Sequence, residues 1–291
     1  MQMKKMLPVL ACALVSSPAL ALNFIFEYDA DSNFFTDERR AAIERAASVY
    51  ERHITNDLNV FVFLGSSQQE GSFAHSGGKP SQGWLESRTL EEIAMSWEEI
   101  PSVANFQDNW MGFIFFNEAS DEGMFSFYSG TDESFSGIDI YTTALHELGH
   151  VLGFGSVDTW WNNVSGDYFY GKNAVDSYGG PVPLFAHDFV DARFEHWLPG
   201  EGLGTLWIDG TEFVIPNGGV ESTLLGTEIR QPSVYGPTFG EGTRLHLTDL
   251  DLAGLQDIGW ATAVPEPATM YMLLSGLGIV GLGVRRRRCV A

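Results

Sequence analysis

Cysteine is nearly absent from this chain. Its 291 residues include only Cys12 and Cys289, which lie close to the two ends. The region between them can therefore form no disulfide and offers no thiolate to a metal or to an inhibitory propeptide. Its stability must come from other sources, and a hydrophobic content of 44% is enough to build a substantial core.

Basic residues are scarce as well. The chain has 16 Lys and Arg against 38 Asp and Glu, and six of the 16 lie in the terminal segments, as Lys4, Lys5 and Arg285 to Arg288. Residues 22–263 consequently carry a net charge of about −27. A surface this acidic argues against nucleic acid and against anionic membrane surfaces as partners.

The N-terminus has the pattern of a secretory signal peptide. Lys4 and Lys5 precede an apolar run from Met6 to Leu20, and Ala19-Leu20-Ala21 provides a small-residue cleavage site. We therefore expect residues 1–21 to be removed on export.

The C-terminus combines three features. A Val-Pro-Glu-Pro sequence at 264–267 precedes a nearly uncharged run at 268–284, which is just long enough for a membrane span, and Arg285 to Arg288 follow. Residues 264–291 resemble the PEP-CTERM sorting signal of Gram-negative bacteria. The resemblance implies export through the inner membrane, transient anchoring there by the C-terminal helix, processing by exosortase-type machinery, and delivery to the cell surface or the extracellular space.

Hydrophobic patterning between these ends predicts strands and helices in one mixed sheet domain. Residues 22–28 and 58–64 read as strands, and a helix that Thr36 caps is expected between them, so the two strands should pair in parallel. A third strand is expected at 110–116 and a short one at 124–128. The Ser- and Gly-rich residues 65–88 are interpreted as a surface loop, and a helix is expected at 89–100.

The sequence at 146–150, His-Glu-Leu-Gly-His, carries the clearest chemical signal. In a helix that Asp139 caps, His146 and His150 lie on one face and can offer ring nitrogens to one zinc ion. Glu147 is then free to take a proton from zinc-bound water. Catalytic zinc usually has three protein ligands, so one more is needed.

The third ligand is not determined by local spacing. Gly153 extends the pattern to the longer form found in metzincin proteases, but Ser156 stands where the next ligand is common, and a neutral hydroxyl is a poor zinc ligand. Three histidines remain downstream, His187, His196 and His246. A gluzincin-type site would instead use Glu195 or Glu201.

Residues 139–260 resemble the leishmanolysin-like metzincins, in which an insertion separates the zinc helix from a ligand in a His-Trp dipeptide. The matching residues are Phe169, Gly171, Ala174, Tyr178, Val182, Pro183, His196 and Trp197. The resemblance implies zinc held by His146, His150 and His196. It also implies an α+β metzincin-like fold, with a twisted mixed sheet and the zinc helix in an upper subdomain at 22–155, and a more irregular lower subdomain at 156–263.

The family's Met-turn is incomplete here, because no methionine occurs between Met124 and Met270. We expect Leu224 or Leu225 to supply the apolar floor beneath the metal instead. The resulting hypothesis is an exported zinc endopeptidase that acts on protein or peptide substrates, with Glu147 as the general base. The alternative is a non-catalytic matrix or adhesion protein that keeps the same fold.

Overall fold

The computed structural model describes ten stretches of the chain, and the predicted α+β class is confirmed because helices and several sheets occur together. The signal peptide predicted at 1–21, the helix predicted at 89–100 and the C-terminal tail at 264–291 lie outside the described residues. In those that are described, no helix is both long and apolar enough to cross a membrane. The described stretches are 22–67, 74–80, 110–118, 126–185, 196–198, 203–208, 211–216, 219–224, 229–236 and 240–263.

A four-stranded mixed sheet contains the first strands of the chain. Strand β1 (Asn23–Tyr28) pairs in parallel with β2 (Asn59–Ser67), as predicted, and β2 pairs in parallel with β4 (Trp110–Asn117). Strand β3 (Ala74–Pro80) runs antiparallel to β4 at the edge, so the order is β1-β2-β4-β3.

The prediction of a loop at 65–88 is wrong at 65–67 and 74–80, since β2 continues to Ser67 and β3 spans Ala74–Pro80, and the rest of this range lies outside the described residues. Strand β3 has small and polar residues, including Gly77 and Gly78, and gives no alternating hydrophobic pattern. Its pairing with β4 along its whole length supplies the order that its own side chains do not indicate. Such residues suit an edge strand.

Two helices pack on this sheet and on each other. Helix α1 (Asp37–His53) begins where predicted, with the Thr36 side chain accepting a hydrogen bond from the Arg39 backbone N–H. Its buried residues, including Ala42, Ile43 and Tyr50, recur at helical spacing and form the face that packs on the core.

The second helix carries the His-Glu-x-x-His sequence. Two short strands that pair in parallel, β5 (Phe127–Tyr128) and β6 (Ile138–Asp139), precede helix α2 (Ile140–Val151). The strand predicted at 124–128 is thus described for its last two residues. Nearly every residue of α2 is buried, so the helix runs through the core.

The chain after α2 consists of shorter elements. A second four-stranded sheet lies in this region, and the last described helix follows it. The elements are α3 (Asp158–Trp161), β7 (Val164–Ser165), β8 (Tyr168–Phe169), α4 (Lys172–Tyr178), β9 (Val182–Phe185), β10 (His196–Trp197), β11 (Leu203–Ile208), β12 (Thr211–Pro216), β13 (Gly219–Ser222), β14 (Ile229–Pro232) and α5 (Asp249–Asp257).

Candidate metal centre

The start of α2 is fixed by a buried carboxylate. Asp139 is fully buried and caps the helix, accepting hydrogen bonds from the backbone N–H and the hydroxyl of Thr142. Arg244 donates to both carboxylate oxygens of Asp139, at 3.0 and 2.8 Å. This paired contact neutralises the buried charge, and it joins a segment near the C-terminus to the first turn of the helix.

His146 and His150 project from α2 toward one point. Their Nε2 atoms lie 3.1 Å apart. The Nδ1 atom of His146 lies 2.7 Å from the carbonyl oxygen of Val234, and that of His150 lies 2.8 Å from the carbonyl oxygen of Phe154. A carbonyl oxygen only accepts, so each Nδ1 must carry the proton and each Nε2 keeps its lone pair.

His196 joins them from strand β10. Its Nε2 lies 3.3 Å from the Nε2 of His150 and 3.3 Å from that of His146. The next residue, Trp197, is fully buried, and its backbone N–H donates to the carbonyl of Tyr235. The Trp197 ring packs in an aromatic cluster with Phe154, Trp160 and Phe169.

The three nitrogens form a triangle with sides of 3.1 to 3.3 Å. With Zn–N bonds of about 2.0–2.1 Å, tetrahedral coordination places neighbouring ligand nitrogens about 3.3–3.4 Å apart. Burial lowers the pKa of both His146 and His150 to about 4, so both rings are neutral at pH 7, as metal binding requires. Three converging imidazoles, two with unprotonated Nε2 atoms, fit a zinc ion.

Tyr235 forms the floor beneath the histidines. Its ring centroid lies 6.3 Å from that of His146 and 6.5 Å from that of His150. Its hydroxyl lies 2.6 Å from the hydroxyl of Tyr50, which in turn donates to the carbonyl of Leu145. The Tyr235 ring is therefore held against α2 by a chain of two buried hydroxyls.

This position was expected for Leu224 or Leu225. Leu224 is half-buried and packs at the margin of the main core, while Leu225 lies outside the described residues. Tyr235, in the turn at 233–236, packs beside both helical histidines, and the expectation for Leu225 stays a prediction. No apolar pattern marks a buried tyrosine as the floor of a site.

The turn at 233–236 is held by Asp251, at the start of α5. The fully buried carboxylate of Asp251 accepts hydrogen bonds from the hydroxyl of Ser233, the backbone N–H of Val234, and both the backbone N–H and hydroxyl of Thr248. Since the Val234 carbonyl receives the His146 ring proton, Asp251 orients one candidate metal ligand through one intervening residue.

Besides the two histidines, α2 contributes the ionisable side chain of Glu147 to the candidate centre. Its side chain is 6% exposed, and burial raises the pKa of its carboxyl above the usual value. The hydroxyl of Ser76 on strand β3 lies 2.6 Å from the carboxylate oxygen Oε2 of Glu147. A carboxylate that combines little water with a hydrogen-bond donor is suited to proton transfer.

Among the described residues, no hydrogen bond joins Ser156 to the ring nitrogens of the three histidines. The Ser156 hydroxyl donates to the backbone carbonyl of His150, at 3.3 Å, so it helps to end the helix. Gly153 has a positive φ of 99°, a left-handed backbone conformation that glycine adopts readily and that turns the chain after α2. A side chain there would be strained and would also meet Val157.

The rival ligands fall into two groups. His246 lies apart from the cluster, with its Nδ1 3.5 Å from the Tyr141 hydroxyl, and the group of possible metal ligands found in the described part of the chain is His146, His150 and His196. His187, Glu195 and Glu201 lie outside the described residues. The geometry therefore favours His196 over the one rival that it describes.

A comparison with protein families matches residues 263–288 to the PEP-CTERM protein-sorting motif. The predicted C-terminal sorting signal is thereby confirmed. It indicates recognition by exosortase-type machinery, with export and membrane-associated sorting in a Gram-negative bacterium. No curated protein and no solved structure shows a significant match to the chain, so the interpretation of the metal centre depends on its own geometry.

Proposed function

We propose that this exported protein is a metzincin-like zinc endopeptidase, in which His146, His150 and His196 hold the metal and Glu147 is the general base. The observation that carries the proposal is the triangle of Nε2 atoms at 3.1 to 3.3 Å, beside a buried glutamate. Zinc, when bound, lowers the pKa of a coordinated water and polarises the scissile carbonyl.

The residues of the chain supply proton transfer. Glu147 takes a proton from the attacking water and returns it to the leaving amine, so that it acts first as a base and then as an acid. Its burial keeps bulk water away, and its raised pKa makes it a stronger base for the first of these two steps.

The edge strand β3 supports the same function. It lies beside α2, and its Ser76 contacts Glu147, so the edge of the sheet formed by the described strands borders the candidate centre. An extended peptide can add to such an edge through main-chain hydrogen bonds, which gives affinity without a narrow choice of side chains. A protein or peptide substrate fits this arrangement.

The decisive test is Glu147→Gln in the purified full-length protein. The variant should retain zinc, because the three histidines are untouched, but should lose casein or gelatin cleavage by at least about 100-fold. Glu38→Gln, an exposed glutamate of α1, serves as the matched control. Cleavage that survives both Glu147→Gln and a chelator would refute the proposal.

The same assay separates the alternative, a non-catalytic matrix or adhesion protein. Such a protein would hold zinc but show no chelator-sensitive cleavage in the wild type. A purely structural metal site has no need of a desolvated carboxylate next to its ligands, which is why the enzyme is preferred.

A further inference from the structure

Ser76 makes two contacts with a single residue of α2. Its hydroxyl oxygen lies 2.6 Å from the carboxylate oxygen Oε2 of Glu147 and 2.9 Å from the backbone carbonyl oxygen of the same residue. Both are acceptors, so the one hydroxyl proton of Ser76 is directed at either of them. The carboxylate is thus held close to its own helical turn.

The position of Ser76 is determined by the sheet. It pairs with Ile114 of β4, which is fully buried, and therefore lies on the face of β3 that points toward the helices. Ala74, two residues earlier, pairs with the buried Phe116 on the same face. A hydroxyl placed on this face of an otherwise apolar layer has little reason to be there unless it has a polar partner.

The hydrogen bond between Ser76 and Glu147 matters more for Glu147 than for Ser76. Glu147 is buried, and an ionised carboxylate without donors is costly to desolvate. A hydroxyl at 2.6 Å has the short length typical of a hydrogen bond to a charged acceptor, which is about twice as strong as one to a neutral group. It also removes one of the directions in which the carboxylate could rotate.

We propose that Ser76 is a positioning residue, which holds the Glu147 carboxylate in the orientation in which it exchanges protons with water and the leaving amine. The inference rests on the proposed function. It assigns to β3 a side-chain role at the centre, in addition to any main-chain contact with a peptide.

The experiment compares Ser76→Ala with Ser76→Thr in the full-length protein. Ser76→Ala should lower kcat for peptide cleavage by about 10- to 100-fold, the scale of a misplaced catalytic group, with KM and bound zinc nearly unchanged. Ser76→Thr keeps the hydroxyl and should recover most of the loss. The positioning role would be overturned if Ser76→Ala kept the wild-type kcat, or if Ser76→Ala and Ser76→Thr lowered kcat by the same factor.

A second measurement does not depend on activity. In the metal-free protein, Glu147→Ala removes the carboxylate but leaves the backbone carbonyl, so a double-mutant cycle with Ser76→Ala isolates the contact between the two side chains. Ser76→Ala should lower Tm by about 2–4 °C more in the presence of Glu147 than in its absence. Equal effects would show that the hydroxyl serves only the backbone.

The two measurements also keep the two hypotheses apart. If the wild-type protein shows no chelator-sensitive cleavage, the proposed function is refuted. The catalytic role of the contact between Ser76 and Glu147 is then refuted as well, whatever the double-mutant cycle shows. An active wild type with no coupling between Ser76 and Glu147 would refute the positioning role alone.

Discussion

Replacing Gly149 with alanine tests most sharply whether Tyr235 supports the candidate metal centre from below. In the interior of a helix, this change normally stabilises by about 1 kcal/mol, because glycine has the larger backbone entropy to lose. Gly149 lies between the two histidines of α2, and Tyr235 packs directly against it. A Cβ at Gly149 would lie 2.1 to 2.4 Å from ring atoms and the hydroxyl of Tyr235.

The clash cannot be relieved by a small movement. Tyr235 is fully buried, and its hydroxyl is bound to that of Tyr50. An ordinary contact needs more than an ångström of additional space, so the ring must move and the bond to Tyr50 must break. Overpacking costs about 1–3 kcal/mol and a neutral hydrogen bond about 1 kcal/mol, which together exceed the helical gain.

We therefore expect Gly149→Ala to destabilise the protein by about 1–3 kcal/mol, which corresponds to a fall in Tm of about 2–12 °C for a domain of this size. Zinc affinity should fall too, since Tyr235 packs against both His146 and His150. Thermal unfolding with and without zinc measures both effects.

A second substitution identifies the cause. Tyr235→Leu removes the ring atoms that the new Cβ would meet, so Gly149→Ala should cost less in that background than in the wild type. A rise in Tm for Gly149→Ala alone would show that helix propensity outweighs packing, and the floor assigned to Tyr235 would be wrong.

Three further outcomes follow from the same centre. His196→Ala should lower bound zinc in metal analysis of the purified protein, and unchanged zinc would favour His187 as the ligand. Asp251→Asn should weaken zinc binding by about 10- to 100-fold in competition with a chelator, because it loosens the turn that orients His146. In the metal-free protein, burial lowers the pKa of His146 and His150 to about 4 from 6.5, so stability should be lost as pH falls from 6.5 toward 4. Burial raises the pKa of Asp251 to about 6 and also raises that of Glu147, and both shifts oppose this loss. Burial lowers the pKa of His53 and His246 as well, so four histidines act against two carboxyls and the direction of the prediction is kept. A Tm that is higher at pH 5 than at pH 7 would contradict the pH prediction.

Local chemistry made part of the fold predictable. Thr36 and Asp139 mark the starts of α1 and α2, because a short oxygen-bearing side chain satisfies free N–H groups at a helix end. The two histidines of α2 were predictable for the same kind of reason, since residues four apart lie on one face of a helix. These features depend on neighbours within one or two turns.

Features that depend on distant partners were not predictable in this way. Strand β3 has a loop-like composition and is ordered by its pairing with β4. Tyr235 and Ser76 reach the centre from other elements, and neither belongs to a periodic pattern. The placement of His196 was anticipated from a family resemblance and not from spacing, because forty-six residues separate it from His150.

Because His150 and His196 lie far apart in the sequence, a bound metal ion would also stabilise the fold. An ion that joins His150 to His196 would close a loop of forty-six residues in a region without cysteine. A covalent cross-link of that length would stabilise by about 4 kcal/mol if it acted by restricting the unfolded chain, and a coordinated ion approaches this limit only while its ligands stay bound. The Val234 carbonyl, the Tyr235 ring and the buried Trp197 hold those ligands in place without the ion. The hydrogen bonds that orient the histidines therefore serve both the proposed chemistry and the stability of residues 22–263, which contain no cysteine.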